Sequence, residues 1–140
     1  MDRSLQELVW RRAGDRCEYC QVPQSHDPIP FEVDHIIAET HEGETKASNL
    51  CLCCFACNRH KGPNIAGIDP KTRKIVPLFN PRRHKWSRHF RWDGAVLVGR
   101  TSNGRATVRV LKINLDHRVG FREELIEEGV FPPVDRSGRG

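Results

Sequence analysis

Cysteine is the residue type in this sequence with the clearest capacity for chemistry. Four of the six cysteines form two C-x-x-C pairs: Cys17 with Cys20, and Cys54 with Cys57. Four thiolates in two such pairs are the usual tetrahedral ligand set of structural zinc. We therefore predict one structural Zn²⁺ ion bound by these four side chains, with redox motifs or chance spacing as the alternatives. The other two, Cys51 and Cys53, are expected to pack as small apolar residues.

The 33 residues between the two pairs exceed the spacing of a simple zinc ribbon, so a substantial element is inserted there. This insertion carries an Asp-His pair, Asp34 and His35, followed by Asn49. Asn58 comes directly after the last cysteine of the second pair. An isolated histidine is usually structural, but the position of His35 between two cysteine pairs favours a functional role.

The order C-x-x-C, VDHII, SNL and C-x-x-CN-x-x-KG resembles the zinc-bearing form of the HNH endonuclease family, in its H-N-N variant. The similarity covers about residues 10–62. It implies an α+β fold with a ββα-metal (His-Me finger) core stapled by the four-cysteine zinc site. It also implies an endonuclease that hydrolyses phosphodiester bonds with a catalytic divalent ion.

The resemblance also implies roles for individual residues. His35 would be the general base, Asn49 would orient the imidazole or the loop between the strands, and Asp34 would be a ligand of the catalytic metal. The family's third signature position is usually His, whereas Asn58 stands here, with His60 as the alternative ligand. An amide oxygen is a harder ligand than imidazole and suits Mg²⁺ or Mn²⁺, with Ni²⁺ as a further candidate.

The chemistry of phosphodiester hydrolysis calls for the same residue types. The reaction needs an activated water and a cation that stabilises charge on the phosphoryl and leaving oxygens. Histidine has a pKa near neutrality and suits proton transfer from water. Asp34 with one amide ligand would leave most of the coordination sphere of the metal open, as a catalytic site requires.

Charge divides the chain into two unequal halves. Residues 1–60 carry 6 Lys/Arg against 10 Asp/Glu, a net charge of −4, and residues 61–140 carry 17 against 8, a net charge of +9. A basic region suits a polyanion such as nucleic acid. The acid-free segment 80–92 interleaves basic and aromatic residues, and we expect nucleic-acid contacts there. The predicted contact residues are Lys61, Arg82, Arg83, Lys85 and Arg88, while Trp86 and Trp92 are expected in the core.

Secondary-structure signals place the candidate residues on a strand, loop, strand, helix unit. FEVDHII (31–37) favours a strand, the polar run 38–49 a loop, LCLCC (50–54) a second strand, and FACNRHKG (55–62) the start of a helix. A helix over 3–13 is expected before them, with Ser4 as N-cap and Gly14 as terminator.

The C-terminal half predicts a supporting layer. Residues 95–101 and 106–113 alternate around Asn103-Gly104, which predicts a β-hairpin. A helix over 115–128 should follow, with Asp116 as N-cap, Val119, Leu125 and Ile126 on its apolar face, and Gly129 as terminator. The whole chain is interpreted as one domain with a core at about 10–62, a basic extension at 63–93, a hairpin and helix at 94–130 and a frayed tail at 131–140.

The first residues lack the apolar run of a signal peptide, and no stretch has the roughly 20 apolar residues of a membrane span. We therefore expect a cytoplasmic protein whose cysteines bind metal rather than form disulfides. The expected partner is nucleic acid, with double-stranded DNA preferred, and no membrane. Two other functions stay open: a non-catalytic zinc-finger module that binds nucleic acid, and a zinc-stapled interaction domain.

Overall fold

The computed structural model describes residues 1–134. This part of the chain combines helices with three two-stranded antiparallel sheets, which confirms the predicted α+β class. The elements are α1 (Arg3–Ala13), β1 (Glu32–His35), β2 (Leu50–Cys53), α2 (Phe55–Lys61), β3 (Ala66–Ile68), β4 (Ile75–Pro77), α3 (Trp86–His89), β5 (Phe90–Asp93), β6 (Val96–Gly99), α4 (Ser102–Val110) and α5 (Asp116–Glu127). None of the helices in residues 1–134 is long and apolar enough to cross a membrane.

The strand, loop, strand, helix unit predicted from the sequence is present. Strand β1 pairs with β2 in a register that places Asp34 opposite Cys51 and His35 opposite Leu50. All four residues of β2 are fully buried, which explains why its sequence is a continuous apolar run. Helix α2 follows one residue later and packs on β1. Helix α1 covers β2 through the buried side chain of Val9.

Of the two predicted ends of α1, the structure agrees with the C-terminal one only. Gly14 ends the helix in the left-handed region, with φ of 63°, as predicted. At the other end the N-cap is Asp2, whose carboxylate accepts a hydrogen bond from the backbone N–H of Ser4. The prediction of Ser4 as N-cap is therefore wrong, because the helix begins one residue earlier than the cap position that we assigned.

A second hairpin, formed by β3 and β4, was not predicted. Its sequence contains Pro63, Gly67 and Pro70, which argue against a continuing helix but do not specify a strand. Asp69 in its turn is fully buried and accepts both hydrogen bonds of a bidentate pair with Arg105 of α4, at 2.9 Å each. Its carboxylate also accepts from the Lys71 N–H. These contacts attach the hairpin to α4.

The predicted hairpin of 95–101 with 106–113 is wrong. Strand β6 pairs instead with β5, and residues 102–110 form helix α4 with Asn103 and Gly104 in its first turn. The side chain of Thr101 caps this helix by accepting from the Gly104 N–H. A Cβ at Gly104 would lie 2.2 Å from the carbonyl oxygen of His89, so the glycine allows close packing on the α3–β5 junction rather than a turn. Tertiary packing has overridden the local turn signal.

Helix α5 differs from its sequence prediction in its cap and in its buried face. Its N-cap is Leu115, which forms no side-chain cap, so Asp116 is the first helical residue. Gly129 ends the helix region with φ of 78°, as predicted. The expected apolar face of Val119, Leu125 and Ile126 is only partly right, since Ile126 is exposed. The buried residues of α5 are Arg118, Arg122 and Leu125.

The tail predicted to fray from residue 131 begins in the core. Phe131 is buried, and its ring packs edge-on against Trp92 with centroids 4.9 Å apart. Residues 135–140, the rest of the predicted tail, lie outside the described residues.

Candidate metal centre and active site

The four cysteines of the two C-x-x-C pairs form one buried cluster. Their Sγ atoms all lie within 4.8 Å of one another, and the Cys20 and Cys54 sulfurs are 3.7 Å apart. A tetrahedral site with metal–sulfur bonds of about 2.3 Å, as in zinc proteins, has sulfurs about 3.8 Å apart. The cluster therefore fits a metal ion of that kind.

Local backbone contacts shape each half of the cluster. In the first half, the Cys17 N–H donates to the Val22 carbonyl, and the Gln21 N–H donates to the Cys17 carbonyl, which closes a tight turn. In the second half, Cys54 is the N-cap of α2, and its Sγ accepts from the Cys57 N–H at 3.4 Å. Each pair thus spans one turn, which is why a spacing of two residues brings both sulfurs to one side.

Arg118 of α5 contacts this cluster, and no sequence pattern indicates this contact. Its guanidinium donates to Cys57 Sγ at 2.9 Å and lies 4.0 Å from Cys54 Sγ. The same side chain donates to the Leu111 carbonyl at 2.7 Å. Burial lowers the pKa of Arg118, but the neighbouring cysteine sulfurs outweigh it and hold the pKa above its usual value. A buried cation of this kind stabilises thiolates.

The remaining two cysteines lie in β2 and are buried, as expected. The Cys51 thiol is 3.8 Å from the Tyr19 hydroxyl, and burial raises the pKa of Cys51 to about 12. A thiol with so high a pKa is inert near neutrality. Cys53 is also fully buried beside the cluster. Neither belongs to the four-sulfur group found among residues 1–134.

Asp34 has a half-buried side chain with an unsatisfied oxygen. Its Oδ2 atom is buried and has no hydrogen-bond partner among the described residues. Burial raises the pKa of the Asp34 carboxyl, and the positive charge of Lys61 opposes this shift. A buried carboxylate oxygen without a partner is costly, and a bound cation would satisfy it.

The face of α2 that meets β1 carries Asn58 and Lys61, one turn apart. The Asn58 side-chain N–H donates to Glu32 Oε2 at 2.7 Å, and Glu32 projects from the same face of β1 as Asp34. The structure therefore brings Asn58 to the side of β1 that carries Asp34. With the amide nitrogen occupied by Glu32, the Asn58 Oδ1 atom is left for another partner.

His60, the alternative ligand, lies about 200° around α2 from Asn58. Burial is the first cause that lowers the pKa of His60, and the positive charges of Arg118 and Lys112 are the next. These neighbours belong to the α4–α5 region. His60 therefore points away from the side of α2 on which Asn58 contacts β1.

The imidazole of His35 is oriented by a residue that the sequence did not single out. His35 Nε2 and the Thr45 hydroxyl oxygen are 2.8 Å apart, a hydrogen-bond distance. Thr45 belongs to the loop that joins the two strands. Among the described residues Nδ1 of His35 has no hydrogen-bond partner.

Asn49 fixes the loop between the strands. Its side-chain oxygen accepts from the Ile37 N–H at 2.9 Å, and its side-chain nitrogen donates to the carbonyls of Ile37 and Glu44 at 3.0 and 2.9 Å. Asn49 is buried, and its side chain forms no hydrogen bond with the His35 imidazole. Of the two roles considered, its hydrogen bonds correspond to holding the loop.

The five basic residues predicted to contact nucleic acid do not form one surface. Lys61 is 1% exposed, and its ammonium donates to the Ile36 carbonyl at 3.0 Å. Arg82 forms a largely buried ion pair with Glu18. The Lys61 ammonium is thus bound to a backbone carbonyl, and the charge of Arg82 is neutralised by Glu18. Neither side chain is the solvent-facing cation that we expected. Arg83, Lys85 and Arg88 are exposed.

Comparison with known proteins finds a family match for the segment that contains the four clustered cysteines and the candidate active-site residues. The HNH endonuclease family model matches residues 17–64. This segment is an HNH domain. It contains all four clustered cysteines together with Asp34, His35, Asn49 and Asn58, so the resemblance predicted from the motifs is confirmed.

The similarity to one relative extends beyond the HNH domain. The chain is 25% identical over 126 residues to the Septu protein PtuB of Bacillus thuringiensis. The alignment covers 89% of this chain and 46% of the relative, so the chain spans less than half the length of that protein. No solved structure matches the chain.

Proposed function

We propose that this chain is a metal-dependent endonuclease that hydrolyses phosphodiester bonds, with His35 as general base. The observation that carries the proposal is the buried, unpartnered Oδ2 of Asp34 next to His35, within a segment that matches HNH endonucleases. We further propose that residues 17–64 adopt the ββα-metal arrangement of that family, and that the protein acts in the cytoplasm.

Asp34 and Asn58 would hold the catalytic ion through a carboxylate and an amide oxygen. Oxygen ligands suit Mg²⁺ or Mn²⁺, with Ni²⁺ as a further candidate. When bound, such an ion stabilises negative charge on the phosphoryl and leaving oxygens. Lys61 contributes by fixing the end of β1 and by favouring the ionised form of Asp34.

His35 would take the proton from the attacking water at Nδ1. The hydrogen bond between Nε2 and the Thr45 hydroxyl supports this assignment, because it occupies the other ring nitrogen and fixes the plane of the ring. Asn49 would act indirectly, since its three hydrogen bonds hold the loop that carries Thr45. We therefore regard Thr45 and Asn49 as positioning residues.

The four clustered cysteines would bind a structural Zn²⁺ ion. Four buried thiols from two C-x-x-C pairs are typical of closed zinc sites, which leave no open position for catalysis. The ion would fasten the turn after α1 to the start of α2, and so hold α2 against β1. Structural and catalytic metals would thus occupy separate ligand sets.

The substrate is proposed to be nucleic acid, with double-stranded DNA preferred. The support is the HNH match together with the exposed cations Arg83, Lys85 and Arg88. The second candidate is a non-catalytic zinc-finger module that binds nucleic acid. Such a module needs the cysteines but gives no reason for Asp34 and His35 to lie together.

A plasmid assay separates the two candidates. Purified protein is incubated with supercoiled DNA without added metal and with Mg²⁺, Mn²⁺ or Ni²⁺, and the wild type is compared with His35→Ala. His41→Ala is the matched control, because His41 is an exposed histidine of the loop that follows β1. Nicking by the wild type and the control but not by His35→Ala supports the proposal. Binding without cleavage under every metal would instead establish the binding module.

A further inference from the structure

We propose that a cleft between α1 and β5 is a second nucleic-acid site, which takes a single-stranded segment. This basic cleft has a volume of about 580 Å³, within the range typical of ligand sites. None of Asp34, His35, Asn49 and Asn58 lines it, so the proposal goes beyond the proposed function. The lining residues on which it rests are Arg16, Lys85, Trp86, Arg91, Trp92 and Arg100.

The charge of the basic cleft comes from separate parts of the chain. Arg12 on α1, Arg16 after it, Lys85 before α3, Arg91 on β5 and Arg100 after β6 all line it. Convergence of five cations from five segments is unlike the charged face of a single helix. This arrangement of cations suits the binding of a polyanion, because its phosphates would neutralise the positive charges and reduce their mutual repulsion.

The carboxylate that lines the basic cleft does not cancel this charge. It belongs to Glu18, which is the ion-pair partner of Arg82. The second oxygen of Glu18 accepts from the Leu52 N–H at 2.8 Å. Both oxygens of Glu18 are thus bound to Arg82 and to the Leu52 N–H, so the cleft keeps a net positive charge.

Hydrogen-bond donors remain for phosphates. Lys85 and Arg91 are exposed, and their side chains form no hydrogen bond within residues 1–134. Arg16 and Arg100 each use one guanidinium nitrogen to bind a carbonyl, of Gln21 at 3.0 Å and of Ser87 at 2.9 Å. These bonds fix the direction of each guanidinium and leave its other N–H groups for a ligand.

Two tryptophans give the basic cleft an aromatic wall. Trp86 and Trp92 are half-buried, with centroids 5.9 Å apart. Their indole N–H groups donate to the Tyr19 carbonyl at 2.8 Å and to Gln21 Oε1 at 2.9 Å, so both rings are held in place. Bases in a duplex are already stacked on one another, whereas unpaired bases stack on aromatic side chains. This favours a single strand over a duplex.

Arg12 connects the basic cleft to the HNH domain. Its guanidinium donates to the carbonyls of Ala47 and Leu50, at 2.7 and 2.6 Å, on either side of Asn49. A strand bound in the cleft would therefore lie against the loop that carries a proposed positioning residue. The second site adjoins the proposed active site but contains none of Asp34, His35, Asn49 and Asn58.

Fluorescence anisotropy with a labelled oligo-dT and a matched duplex, without added divalent metal, tests the proposal. Lys85→Ala/Arg91→Ala is compared with Lys74→Ala/Arg109→Ala, which removes the same charges from exposed residues outside the cleft. We expect about a tenfold loss of oligo-dT affinity for the first pair only. The slope of log K against log salt should fall by about 1.4, since each single-strand phosphate contact contributes about 0.7. Equal losses in both pairs, or no loss, would overturn the proposal.

The aromatic contribution has its own readout. Binding of oligo-dT should quench the tryptophan fluorescence of the wild type, and Trp86→Phe should retain affinity that Trp86→Leu loses by about tenfold. Duplex affinity should change little in either variant. Unquenched fluorescence, or equal weakening of duplex and oligo-dT binding, contradicts a single-strand site. Because binding is measured without cleavage, failure here is distinct from failure of the proposed nuclease activity.

Discussion

Arg118 donates a hydrogen bond from its guanidinium to the Sγ atom of Cys57 over 2.9 Å. This contact joins α5, which lies outside the HNH segment, to the cysteine cluster inside it. The same guanidinium donates through its other terminal nitrogen to the Leu111 and Lys112 carbonyls. Its position is therefore fixed both by these carbonyls and by the Cys57 sulfur. The C-terminal layer therefore contacts the cysteine cluster directly.

Replacement of Arg118 should weaken metal retention. We expect Arg118→Ala to lower zinc affinity by about 10- to 100-fold, the usual effect of removing a residue that hydrogen-bonds a metal ligand. Zinc transfer to a chromogenic chelator measures this effect. Arg118→Lys should recover part of the affinity, and Arg109→Ala, an exposed arginine of α4, should behave as wild type. Unchanged transfer from Arg118→Ala would show that the contact is dispensable.

The cysteines should divide into two classes. Cys54→Ser/Cys57→Ser should lose zinc and unfold or become severely destabilised, because a structural metal contributes folding free energy directly. Cys51→Ala is the matched control, since Cys51 is equally buried but lies outside the cluster. It should keep one zinc per chain. Metal content and thermal unfolding report both outcomes, and full zinc retention by the double variant would disprove the ligand assignment.

The proposed roles of His35 and Asp34 predict different responses to metal. Each Ala variant should lose activity, by about 10²–10⁴-fold for His35→Ala as expected for loss of a general base. Raised Mg²⁺ or Mn²⁺ should partly restore Asp34→Ala, which has a weakened cation site, but not His35→Ala. Plasmid nicking over a metal titration measures this. A folded, zinc-loaded His35→Ala protein that cleaves at the wild-type rate would refute the mechanism.

Arg82 and Arg83 are adjacent but should differ in their effects. Arg82→Ala leaves Glu18 without its buried ion-pair partner, which we expect to cost about 3 kcal/mol of unfolding free energy. Arg83→Ala changes an exposed side chain and should leave stability nearly unchanged while weakening nucleic-acid binding. Denaturant unfolding and salt-dependent binding separate the two effects. Equal stabilities would show that the Glu18 pair contributes little.

The features that sequence predicted correctly are those with local signals. Each of these signals reflects the geometry of a few neighbouring residues. They are the spacing of two residues within each cysteine pair, the alternation of residue types around Asp34 and the apolar run over β2. The HNH motif could be recognised for the same reason. The hairpin assigned to 95–113 failed because Asn103-Gly104 also suits the first turn of a helix that packs closely on His89.

The contacts that sequence missed join residues far apart in the chain. Arg118 is 61 residues from Cys57, and Arg82 is 64 residues from Glu18. No rule of residue spacing predicts a contact between residues so far apart in the chain. An arginine that binds a buried partner therefore cannot be told from a surface cation by its sequence. Thr45 was missed because a lone threonine in a polar loop carries no signal until His35 is seen beside it.

Asp69 should make stability depend on pH in the acid range. Its hydrogen bonds with Arg105 are the main cause that lowers the pKa of Asp69, and the Lys71 N–H and the Thr72 hydroxyl add to the shift. A carboxyl with a lowered native pKa stabilises the fold above its unfolded pKa of about 4. That stabilisation is lost as the pH falls toward the native pKa, because the unfolded state then binds a proton that the native state does not.

Asp69→Asn should therefore be less stable than wild type at pH 7, and the difference should shrink as the pH falls below about 4. Urea unfolding at a series of pH values measures the difference. Asp93→Asn is the control, because Asp93 is exposed and forms no ion pair among residues 1–134. It should give a small difference that does not change with pH. A stability gap for Asp69→Asn that is equally independent of pH would mean that the pair with Arg105 does not set the pKa of Asp69.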